Sequence, residues 1–92
     1  MKRVWKYPLE HDATGRTTIA VPQGGVVRHV GEDRYEWGNG KAIWIEVDPA
    51  VETVDRTFAI VATGRPFEEG MTFHGTIQMT NGTVWHIYEV TS

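Results

Sequence analysis

The chain has 92 residues, 40% of them hydrophobic and 23% charged, a net charge of −3 and no cysteine. That length supplies one core and excludes a second domain. The missing thiols exclude disulfides, thiolate metal sites and cysteine nucleophiles, and the acidic balance argues against duplex nucleic acid, which wants a basic face.

Apolar residues alternate or come in short runs rich in Val, Ile, Thr and aromatics, broken about every 8–12 residues by Gly, Pro, Asn or Asp. This is the pattern of an all-β protein, a small antiparallel β-sandwich or partly open barrel of six to eight strands in a single domain spanning 1–92. In chain order, strands are expected near 2–7, 16–21, 26–30, 33–37, 41–48, 56–63, 72–80 and 83–90, the third and fourth forming either two pieces or one bent strand. The opening MKRVWKYPLEH is basic but lacks the apolar run of a signal peptide. No stretch approaches the ~20 apolar residues of a membrane span, so a cytoplasmic protein without membrane contact is expected.

RYEWGNGKAIWIEVDP, 34–49, combines glycines and a lysine as a phosphate-binding loop does. The lysine is followed by Ala42 and a β-rich run, without the hydroxyl or the helix that such a loop requires. A hairpin fits better, with Gly38-Asn39-Gly40 as a three-residue loop that pairs Trp37 with Lys41, Tyr35 with Ile43 and Asp33 with Ile45. It also sets Arg34 opposite Trp44, within reach of a cation–π contact. PAVETV, 49–54, opens on a proline suited to a first helical position, so at most one short helical turn is expected there.

ATGRPFEEG, 62–70, reads either as a plain turn or as an anion site built from Thr63, Gly64 and Arg65. In MTFHGTIQMTNGTVWHIYEV, Asn81-Gly82 is the favoured pair for a two-residue type I′ loop. That register pairs Gln78 with Trp85, Ile77 with His86 and Gly75 with Tyr88, and it sets His74 opposite Glu89. It turns His86 toward the core, as a satisfied buried residue or a pocket lining, and turns Trp85 outward. His74 and His86 fall on opposite faces, so no metal site is expected. The only serine is the terminal Ser92, and no carboxylate pair stands out, so no catalytic residue and no cofactor is assigned.

Four tryptophans are more than so small a core needs. Indole rings outside a core serve recognition, a buried second layer or an oligomer interface. The candidate ligand-binding residues are Arg65, Gly64, Thr63, Trp44, Trp85, Arg34 and His86. A chain with little core and open edges also gains from pairing with itself, so a homo-oligomer is expected.

The segments VWKYPL, IAVPQGG, IWIEVDP, RTFAIVATGRP, FHGTIQM and VWHIYEV, in that order, resemble a family of short phage-encoded proteins known only as a domain of unknown function. The resemblance implies an accessory protein acting in a host bacterial cytoplasm, with counter-defence as a common task of such proteins. The leading expectation is a non-enzymatic binding protein that sequesters a small anionic, nucleotide-type host immune signal. The alternative is a protein–protein inhibitor that blocks a host defence enzyme or nuclease through a sheet edge or aromatic face. A virion assembly role is third.

Overall fold

A computed structural model describes residues 1–10, 12–33 and 40–90. Among them the chain forms seven strands, β1 (Arg3–Pro8), β2 (Arg16–Pro22), β3 (Val26–Glu32), β4 (Lys41–Val47), β5 (Thr53–Ala62), β6 (Thr72–Gln78) and β7 (Val84–Glu89). They pair antiparallel in two sheets, β1-β4-β3 and β2-β5-β7-β6, stacked as a small open sandwich with no helix and no barrel closure.

Alternation decides which side of each strand is dry. Ile43, Ile45 and Val47 of β4, Phe58 and Ile60 of β5, Ile77 of β6 and Ile87 of β7 point inward and pack with Val21, Val30, Leu9 and Met79. Seven of these side chains are fully buried. Tyr7 packs against this cluster with its Oη buried and, among the described residues, unpartnered, and burial raises its pKa above 10.0. On one flank β3 lies against β6. There the Glu32 carboxylate accepts hydrogen bonds from Thr80 N–H and, at 2.9 Å, from Thr80 Oγ1. A Cβ on Gly75 would come within 2.6 Å of Val30 Cγ2, so glycine permits this close approach. The opposite edges, β1 and β2, are not joined by packing of that extent.

At one end of the interior Arg56, Glu89 and His74 form an ion cluster. Arg56 donates to both Glu89 oxygens, Nε at 2.6 Å and Nη2 at 2.7 Å, and Nη1 donates to Gly25 O at 2.6 Å. His74 Nε2 lies 2.7 Å from Glu89 Oε1. The bidentate bonds from Arg56 hold the Glu89 carboxyl below its ordinary pKa, and the same bonds raise that of Arg56. The expected His74–Glu89 contact is therefore present, reached through a β-bulge between Phe73 and Gly75.

Two expectations, both hairpin registers, are corrected, while at 49–54, where at most one short helical turn was expected, none forms. Residues 49–51 make a turn in which Ala50 N–H donates to Asp48 Oδ1 at 3.0 Å, and strand resumes at Thr53. The Asp48 carboxylate takes the Ala50 amide and its backbone carbonyl takes the Val51 amide, which closes a turn. Asp33 does not pair with Ile45 as the 38–40 hairpin register expected, and residues 38 and 39 of that loop lie outside the described residues. Asp33 N–H bonds Gly40 O at 2.9 Å, Val30 pairs with Ile43 and Val27 with Ile45, so β4 takes apolar partners from β3 in place of Tyr35 and Asp33. The rest of the expected 33–37 strand, and the Arg34–Trp44 contact, lie outside the described residues.

The Asn81-Gly82 loop has three residues, with Met79 N–H bonding Thr83 O and Gly82 N–H bonding Met79 O. Gly82 has φ +91° while Asn81 keeps a negative φ, so a type I turn with a glycine bulge replaces type I′. The one-residue change pairs Ile77 with Trp85 and Thr76 with His86. Trp85 thereby turns toward the core and His86 away from it, while Gly75 faces Ile87 and Tyr88 faces Phe73. Burying an indole in place of an imidazole favours this register.

Candidate functional site

The β2–β5 ladder begins at Arg16↔Ala59, and Ile60 N–H reaches one residue further to Gly15 O at 2.7 Å. Beyond that point β5 runs on to Ala62 without β2 beside it. The gap opens a cleft of about 640 Å³ between the 12–16 turn and the 65–68 loop, with Ala59–Ala62 as its floor and Met71 and Trp85 behind.

Local chemistry shapes both walls. Asp12 Oδ1 accepts hydrogen bonds from Thr14 N–H, at 2.8 Å, and from Thr14 Oγ1, which lowers its pKa and locks the turn, while Gly15 takes φ +76°. On the other side Arg65 N–H bonds Ala62 O at 3.1 Å, and Gly64 takes φ +88°. A glycine at that turn position relieves the steric cost an L side chain would carry. Pro66 then directs Phe67 back over the sheet, where its ring stacks on Tyr88 with centroids 4.7 Å apart. Phe67 remains 50% exposed.

Two arginines face the cleft. Arg16 Nη2 lies 3.4 Å from the exposed Glu68 carboxylate. Arg65 is exposed and makes no ion pair among the described residues. Trp85 is held in the wall by a relay in which its Nε1–H donates to Thr83 Oγ1 at 2.9 Å and Thr83 Oγ1 donates to Asn81 Oδ1 at 2.7 Å. Lys41 Nζ covers the ring at 4.2 Å from its centroid, and burial lowers the Lys41 pKa.

His86 stands on the outer face beside Val61, between two hydroxyls. Thr63 Oγ1 is 2.9 Å from Nε2, and Thr76 Oγ1 is 3.1 Å from Nδ1. Thr63 Oγ1 also donates to Val84 O at 3.3 Å. Both ring nitrogens of His86 are thus paired with threonine hydroxyls, each of which can donate or accept. No carboxylate orients this imidazole among the described residues.

The structure thus brings Thr63, Gly64, Arg65, Trp85 and His86 to one end of the four-stranded sheet. Trp44 is elsewhere, on the outer face of the other sheet, against His29 at 5.2 Å between centroids and beside Lys6. Arg34 lies outside the described residues. Sequence reasoning missed Phe67 and Arg16. A lone aromatic in the polar run GRPFEEG was the available signal for Phe67, whereas Arg16 reaches the cleft only through the β2–β5 pairing.

Among the described residues no group of His, Asp and Glu is placed to hold a metal ion, and no helix is long and apolar enough to cross a membrane. No curated protein and no solved structure shows significant similarity to the chain. A family model matches residues 1–92 throughout, and the chain belongs to that family, a domain of unknown function, DUF7352.

Proposed function

We propose that the protein is a non-enzymatic binding module that captures a small anionic, nucleotide-type ligand in the cleft beside Arg65. The observation that carries the reading is an exposed guanidinium without an ion pair among the described residues, set on a rigid Gly64-Pro66 turn at the mouth of a 640 Å³ cleft. Arg65 supplies a fork for a phosphate, and the half-exposed Phe67 ring next to it supplies apolar surface for a base. A ligand of this class suits sequestration of an immune signal in a phage-infected host. That setting rests on the resemblance of the segment order.

Isothermal titration against cyclic dinucleotides and cyclic ADP-ribose isomers tests the reading. Binding at micromolar Kd is expected, weakened at least about tenfold by Arg65→Ala, as loss of a charge-assisted bond implies. Absence of binding across the panel, or an unchanged Kd in Arg65→Ala, overturns it.

A second reading, inhibition of a host defence enzyme or nuclease, draws on the outer-face aromatics. Phe73 is 54% exposed and tilts against Tyr88 at 5.2 Å, continuing the Phe67 stack. It predicts a protein complex abolished by Phe67→Ser with Phe73→Ser and indifferent to Arg65→Ala.

A further inference from the structure

The floor of the cleft is a length of strand edge, and peptide groups along a strand alternate in direction. Thr57 O accepts from Val90 N–H and Thr63 N–H bonds Val84 O, so odd-numbered residues at this end of β5 turn toward β7. Ile60 N–H bonds Gly15 O and Ala62 O accepts from Arg65 N–H, so even-numbered residues turn the other way, into the cleft. Ile60 N–H, Ile60 O, Ala62 N–H and Ala62 O therefore stand in order along that edge.

The outer members of this row are spent on Gly15 and Arg65. The inner pair, Ile60 O and Ala62 N–H, has no protein partner among the described residues. The 12–16 turn supplies none, because Gly15 N–H bonds Asp12 O at 3.0 Å and Thr14 N–H bonds the Asp12 carboxylate at 2.8 Å. Gly15 also keeps the carbonyl uncovered, since a Cβ there would stand 3.2 Å from Ile60 O. Backbone groups in such a place call for a partner from outside the chain.

We infer, building on the nucleotide reading above, that this edge selects adenine as the base. The Watson–Crick edge of adenine carries one donor, its exocyclic amino group, beside one acceptor, N1, and ends in an apolar C2–H. The amino group donates to Ile60 O, N1 accepts from Ala62 N–H, and C2–H rests against Ala62 O. The other bases bring a third polar group to the same pair. Guanine sets its exocyclic amino group against Ile60 N–H, donor against donor. Cytosine sets O2 against Ala62 O, acceptor against acceptor. Uracil is left with a carbonyl facing an N–H already given to Gly15. A polar group opposed or unpaired in this way costs roughly tenfold or more in affinity.

Amide NMR spectra of the isotopically labelled full chain, titrated with mononucleotides, test the inference. AMP is expected to move the Ala62 amide downfield and to bind at least about tenfold more tightly than GMP, CMP or UMP, and methylation of AMP at N1 to remove that advantage. Equal binding of the four nucleotides, an Ala62 amide unmoved by AMP, or N1-methylated AMP binding as well as AMP overturns it. Two further probes separate it from the anion reading. Ribose phosphate that binds as tightly as AMP, and is lost in Arg65→Ala, sinks adenine selection and keeps the anion site. Adenosine that moves Ala62 equally in the parent and in Arg65→Ala, with AMP no tighter than adenosine, keeps adenine selection and sinks the anion site. No shift from any probe overturns both.

Discussion

Single side chains set the pH behaviour. Glu89 is held below the ordinary carboxylate value of 4.5 by Arg56. Its contribution to stability is complete above that value and is lost as pH falls through the lower folded value, because the unfolded chain takes up the proton first. Glu89→Gln is expected to cost about 2–3 kcal/mol at neutral pH by leaving Arg56 partly buried without its anion. Urea unfolding at pH 7 and pH 3 checks it, with the difference between the two smaller in the variant than in the parent. Gly75→Ala is expected to cost about 1–3 kcal/mol by driving a methyl into Val30, and Val30→Ala in the same chain to recover part of that loss. Tyr7→Phe is expected to gain about 1 kcal/mol in the same assay, since it deletes a buried hydroxyl with no partner among the described residues.

At the level of elements, strands were legible and their connections were not. Runs such as IWIEV and TVWHIYEV carry β-branched and aromatic residues in alternation, and strands occupy those positions. Loop length depends on which residues are dry once two strands meet. Thus Asn81-Gly82 read locally as a two-residue turn, and the burial of Trp85 beside Ile77 made it three. The same local reading missed the partners β3 lends to β4. For the site, the Thr63-Gly64-Arg65 turn was visible because glycine and proline mark turns by their backbone chemistry. The placement of Trp44 away from that turn was not legible, because nothing local says which sheet a strand joins. Gly82→Asn is a mild test of the observed turn. Asparagine tolerates a positive φ, so a loss of well under that of Gly82→Val is expected, with Gly82→Val costing about 1–2 kcal/mol in thermal unfolding.

For the whole molecule, sandwich order interleaves the chain. β1 waits for β4 and β2 waits for β5 before either pair closes. Folding dominated by such distant pairings is expected in milliseconds to seconds, as a single phase in stopped-flow tryptophan fluorescence, with Trp85 as the natural reporter of core closure. The close approach of Gly75 to Val30 has one more consequence. It holds the β3–β6 flank more closely than the β1–β2 flank, where no packing of that extent joins the strands. Deuterium should therefore enter β1 first and the amides of Ile77 and Ile87 last, and a protease acting on the native protein should begin its cuts near the amino-terminal strand.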